Sequence, residues 1–136
     1  MESQDNLALH LGLILKYNDK SIEIYKLIHD QLSDETDAEL TYQKYRAREI
    51  FSMELKTSLE FAGINATIGD DLEYHKPEVI EVNGDLIKKG VEYDRLTADQ
   101  CAMALTHADL PFAVSTILTN QLTTLRNDVG ESTEHL

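Results

Sequence analysis

The sequence predicts a mainly α (α+β) domain: a long antiparallel helical hairpin, one β-hairpin and two shorter C-terminal helices. Three observations lead there. The first sixty residues repeat apolar side chains at three- and four-residue steps. The pair Asn83-Gly84 lies between β-branched runs. The chain also has no Trp, only two Pro and six Gly in 136 residues, which favours helices over a turn-rich β-sandwich.

Residues 6–32 form the first predicted helix, with Leu7, Leu11, Ile14, Ile22, Tyr25, His29 and Leu32 at helical spacing. Asn18-Asp19 marks a position for a kink. A short turn at "SDE" follows. Thr36-Asp37-Ala38-Glu39 has the pattern of a capping box, in which Thr accepts from the Glu39 N–H and Glu39 reaches back. The second helix is expected over 37–62, with Ala47, Phe51, Leu55, Leu59 and Ala62 on one side and Gly63 as its left-handed terminator. Tyr42, Tyr45, Ile50, Met53 and Phe61 spread beyond that side, so this helix needs more than one neighbour. Residues 1–63 are thus read as a hairpin that self-associates, most simply as a dimer, through Tyr45, Phe51, Leu55 and Leu59.

Residues 64–77 read as an acidic connector. The period then changes to two. In "EVIEVNGDLIKK", Asn-Gly is the preferred pair for a tight hairpin turn, with Ile80 facing Ile87 and Val82 on the same side. Thr97-Ala98-Asp99-Gln100 resembles a second capping box, opening a helix to His107. Asp109 is the expected cap of a last helix running to about Arg126, with Leu110, Val114, Ile117, Gln121, Leu122 and Leu125 inside. The segment 78–127 therefore combines a β-hairpin with two helices, and 128–136 reads as a flexible tail.

Composition narrows the function. Twenty-five Asp plus Glu against twelve Lys plus Arg give a net charge of −13. Phosphate repels such a chain, so direct nucleic-acid and anionic-membrane partners are not expected. Residues 97–118 approach helix-turn-helix spacing, but 110–125 contain no Lys or Arg to meet a DNA backbone. The five His (10, 29, 75, 107 and 135) form no i+3 or i+4 pair, and no Glu-x-x-His occurs, so a ferritin-like di-iron site is not supported. Asp70, Asp71, Glu73 and His75 lack the order of a calcium loop. No nucleophile elbow or phosphate loop is present, and the single Cys101, among Ala102, Met103, Ala104 and Leu105, reads as a buried, inert thiol. No enzyme, cofactor or metal is expected, and the compartment expected is the cytoplasm.

The run "VNGDLIKKGVEYDRLTADQCAMAL", residues 82–105, resembles a short module of small bacteriophage proteins in which a hairpin leads through Gly-x-x-Tyr-Asp-x-Leu-Thr-x-x-Gln into a helix. That resemblance implies a phage structural, assembly or anti-defence role and carries no catalytic residue.

The expected function is a non-enzymatic, acidic protein-interaction module. Asp70, Asp71, Glu73, Glu78 and Glu81 are its charged contacts for a basic protein partner. The alternative is an acidic inhibitor occupying a basic nucleic-acid-binding surface of a host protein. A third reading is a small enzyme or ligand-binding protein. Lys44, Arg46, Arg48 and Lys56 interrupt the carboxylates of the second helix, which favours the module over a nucleic-acid mimic.

Overall fold

A computed structural model describes residues 2–66 and 84–134. They form four helices: α1 (Glu2–Gln31), α2 (Glu35–Ala62), α3 (Gly84–Ala104) and α4 (Phe112–Glu134). α1 packs on α2 and α3, and α4 packs on α2 and α3. The helices therefore sit at the corners of a square, with α1 diagonal to α4 and α2 diagonal to α3.

Contacts at both ends fix the directions. Leu7 and Leu11 of α1 share a core with Leu55 and Leu59 of α2, Cys101 and Ala104 of α3, and Val114 and Leu118 of α4. At the other end, Ile24 and Ile28 cluster with Leu86 and Tyr93. Each adjacent pair is thus antiparallel and each diagonal pair parallel. α2 and α3 therefore run the same way.

α1 is unbroken through Asn18-Asp19, where a kink was expected. Asn18 points inward, and its Nδ2 donates to the Arg48 carbonyl of α2 at 2.9 Å, so the amide joins two helices rather than interrupting one. The N-cap of α2 is Asp34, not Thr36. The Asp34 carboxylate accepts from the Asp37 N–H at 3.0 Å and its carbonyl from the Ala38 N–H at 2.9 Å. "SDET" offers two oxygen-bearing caps, and the earlier one adds Glu35 and Asp37 to the positive end of the helix dipole. Gly63 ends α2 as expected, at φ 71°, where a side chain would be strained.

The expected β-hairpin is overturned. Among the described residues there is no strand, and Gly84 onward, the intended second strand, is helical. Residues 78–82, the intended first strand, lie outside the described residues, as does the expected acidic connector from residue 67 on. The hairpin pattern around Asn83-Gly84 competed with a longer helical one. Leu86, Gly90, Tyr93, Thr97, Cys101 and Ala104 are all buried at steps of three and four, with Asp94 buried beside Tyr93. The resemblance of residues 82–105 to a phage module therefore does not extend to its hairpin.

Both expected starts of the C-terminal helices also move. Thr97 lies inside α3, and its hydroxyl donates to the Tyr93 carbonyl one turn back at 2.7 Å, so it caps nothing. α4 begins at Phe112 rather than at Asp109, with the Pro111 carbonyl accepting from the Ser115 N–H at 2.9 Å. α4 then continues through Glu134, taking in most of the expected tail. The threonines that weaken its helix propensity are exposed, and Thr116, Thr123 and Thr124 donate to carbonyls four residues back.

Candidate functional site

The most concentrated chemistry is a buried ion network that draws a side chain from every helix. Arg48 of α2 and Asp94 of α3 are each 1% exposed. Arg48 Nε donates to Asp94 Oδ1 at 2.9 Å and Nη2 to Oδ2 at 2.8 Å, a two-pronged pair. Nη2 also donates to Asp128 Oδ2 of α4 at 3.0 Å, and Nη1 to the Lys44 carbonyl at 3.0 Å. From α1, Ser21 Oγ donates to Asp94 Oδ1 at 2.6 Å and the Tyr25 hydroxyl to Oδ2 at 2.7 Å. Each Asp94 oxygen thus accepts two hydrogen bonds, which fills the carboxylate's capacity. The guanidinium lies 5.0 Å from the Tyr25 ring centre.

This arrangement keeps its charges fixed. Burial alone would pull the Arg48 pKa down, but the charge and hydrogen bonds of Asp94 outweigh it and hold the group above its ordinary range. Burial raises the Tyr25 pKa, and the negative charge of Asp94 raises it further. Gly90 makes room for that ring: a Cβ there would stand 3.1 Å from Tyr25 Cζ. The network is closed at Arg48 and Asp94, each 1% exposed, and reaches the surface at Asp128, which is 21% exposed. Its carboxylates already face a guanidinium, which leaves them no role as cation ligands. What it can do is fix register, since a slip of any helix would strand a buried charge.

Cys101 is fully buried, and burial pushes its thiol up to about 12. Among the described residues no three His, Cys, Asp or Glu gather as metal ligands. His10 Nδ1 pairs with Gln100 Oε1 at 2.6 Å, and His29 stacks at the edge of Tyr45, 5.7 Å between centres. A shallow groove between α1 and α2, lined by Asp19, Glu23, Glu49, Met53 and Lys56 among others, is open to solvent.

Of the four residues expected to mediate self-association, three lie inside one chain. Phe51, Leu55 and Leu59 belong to the core shared by all four helices. Tyr45 is half-buried against the Ile24–Tyr93 cluster. Asp70, Asp71, Glu73, Glu78 and Glu81 lie outside the described residues. The network itself was missed in the sequence. Arg48 was counted as surface charge, although its place one turn before Phe51 and Ser52 on the inner face was the available signal.

α2 also has an outer face. Leu40, Tyr42, Ile50, Met53 and Phe61 are all exposed, Phe61 at 95%. Phe112, at the start of α4 and the same end of the bundle as Phe61, is 88% exposed. Among the described residues no helix is long and apolar enough to cross a membrane. Set beside known proteins, the chain matches no family model, no curated protein and no solved structure.

Proposed function

We propose that the chain is a non-enzymatic protein-interaction module whose first partner is another copy of itself. The observation that carries this reading is where the exposed large apolar side chains lie. Among the described residues, half of the ten exposed large apolar side chains are on α2, although α2 already gives Phe51, Leu55 and Leu59 to the core. A helix with apolar groups on opposite sides has one side left to cover. The saturated network supports a rigid scaffold behind that face.

Light scattering tests it. The expected result is a mass of twice 15.4 kDa at micromolar concentration; a 15.4 kDa particle throughout defeats the reading. Phe51→Asp is not a fair test, because Phe51 is buried within the chain and the variant would unfold.

The net charge of −13 supports a second contact, with a basic protein through Asp70, Asp71, Glu73, Glu78 and Glu81. Neutralising all five should slow association at low salt more than it speeds dissociation. The acidic-inhibitor alternative uses the same charges and predicts competition with nucleic acid for that partner. Duplex DNA itself should not bind. A lone buried thiol suits a reducing compartment, so the cytoplasm is the location this reading assigns.

A further inference from the structure

We infer that two copies pair through the outer face of α2, antiparallel, about a two-fold axis between positions 50 and 51. The inference rests on the self-association reading and names its surface.

Leu40, Gln43, Ala47, Ile50, Glu54, Thr57 and Phe61 step along α2 by three and four residues in strict alternation, and every one is exposed. That is the seam spacing of paired helices, sustained over three heptads and roughly 32 Å at 1.5 Å per residue. The same helix places Arg48, Phe51, Ser52, Leu55 and Leu59 in the interior. The seam therefore lies on the side away from the bundle.

The order of residues along the seam selects the direction. In a parallel pair each residue meets its own copy, so Glu54 faces Glu54 and Arg46 lies beside Arg46. Reversed about the 50/51 midpoint, Leu40 meets Phe61 and Ala47 meets Glu54, while Gln43 comes within one residue of Thr57 and Ile50 within one residue of its own copy. Small then faces large, and polar faces polar. Arg46 comes within one residue of Glu54 and two of Met53 on the other copy. Its aliphatic stem can cover the exposed Met53 while its guanidinium meets the carboxylate. At present Arg46 pairs only loosely with Glu49 of its own helix, at 3.5 Å. Glu39 and Glu60 of opposite copies come within two residues of each other at the ends of the seam, a repulsion that salt screens. Leaving out Arg48, which the interior holds, α2 carries six carboxylates and three cations, and the contact draws on the opposite charges of Arg46 and Glu54.

Cross-linking with a short bismaleimide tests the geometry, because buried Cys101 stays silent. Leu40→Cys and Phe61→Cys proteins should link when mixed and neither should link alone; linking of each alone supports a parallel pair and overturns the inference. Ile50→Glu should weaken the dimer at least 100-fold with helix content unchanged, since two carboxylates would meet on the axis. Glu54→Arg should weaken it several-fold, and adding Arg46→Glu should restore it. A wild-type dimer indifferent to all of these keeps self-association and rejects this surface. A wild-type monomer rejects both. A monomer whose Ile50→Cys thiol resists maleimide shows that the seam is covered by the chain's own connector, and also rejects the inference.

Discussion

The two ends of the bundle are built on different physics. The end that holds Leu11, Ile14, Leu55, Cys101 and Leu118 has an apolar core, with the half-buried His10–Gln100 hydrogen bond at its margin. The end that holds Ser21, Tyr25, Arg48, Asp94 and Asp128 is organised by charge, with hydrogen bonds of 2.6–3.0 Å crossing between helices. Apolar contacts depend on volume and tolerate small shifts. A saturated carboxylate does not, because each misplaced donor leaves a buried group unsatisfied. The apolar end supplies the driving force, and the polar end selects one alignment of four helices.

The largest effect should come from breaking the polar end at its centre. Asp94→Asn removes the charge opposite Arg48 and cannot accept four hydrogen bonds. Urea denaturation should show a loss of about 3–5 kcal/mol, the usual result of stranding a buried charge. Arg48→Met with Asp94→Leu removes both charges and should recover much of that loss. A double variant as unstable as the single would mean that packing, not charge, dominates here.

The counterpart at the apolar end is Leu118→Ala, fully buried between α2 and α3. A loss of about 3 kcal/mol is expected, from transfer and cavity terms together. The comparison is sharpened by NMR. Leu118→Ala should keep dispersed, single resonances, whereas Arg48→Met with Asp94→Leu should show several packings, because the register constraint has gone. Single sharp resonances in the double variant would refute the alignment role.

Gly90→Ala is a smaller probe of the polar end. Alanine gains about 0.8–1.0 kcal/mol over glycine inside a helix. Here its Cβ would stand 3.1 Å from Tyr25 Cζ and 3.4 Å from Ile24 Cγ2. The ring cannot retreat, since its hydroxyl is bonded to Asp94 and its face is against Arg48. A net destabilisation of about 1 kcal/mol is expected, within the cost of overpacking. In a Tyr25→Leu background the substitution should become stabilising; the same sign in both would show that the ring is not the obstacle.

How much of this was legible in the sequence divides along the same line. The apolar end was readable, because Leu7, Leu11 and Ile14, then Phe51, Leu55 and Leu59, and then Val114 and Leu125 repeat at helical steps. α1, α2 and Gly63 follow from that pattern. The polar end was not readable, because Ser21, Arg48, Asp94 and Thr97 break an apolar stripe exactly where they are most buried. With Asp94 and Thr97 counted as polar, the helical period of α3 dissolves and Asn83-Gly84 gains weight as a hairpin turn. Arg48 is indistinguishable by composition from Arg46; its place one turn before Phe51 sets it on the inner face, and the pairing across 46 residues with Asp94 makes that position tenable. Phe51 and Phe61, by contrast, were separable by period: Phe51 falls on the stripe of Leu55 and Leu59 and Phe61 beyond it, and the fold buries the first and exposes the second.

Alkaline pH should probe both ends, with the smallest effect near neutrality. Cys101 belongs to the apolar end and Tyr25 to the polar one, and burial raises both above their ordinary values. A folded pKa above the unfolded one means that the native state holds its proton more tightly. The stabilisation is then complete below the unfolded value and lost as pH rises through the interval up to the folded value. For Cys101 that interval runs from 9.0 to about 12. At pH 10 the thiol should cost about 1 kcal/mol, one unit of titration being worth 1.36 kcal/mol. Tyr25 adds to the loss only above its ordinary 10.0. Cys101→Ala should therefore be less stable than wild type at pH 8 by its small cavity, and the gap should narrow by about 1 kcal/mol at pH 10. Tyr25→Phe should change the slope only at higher pH. Parallel stability curves for Cys101→Ala and wild type between pH 8 and 10 would show that the thiol is not buried as the core requires.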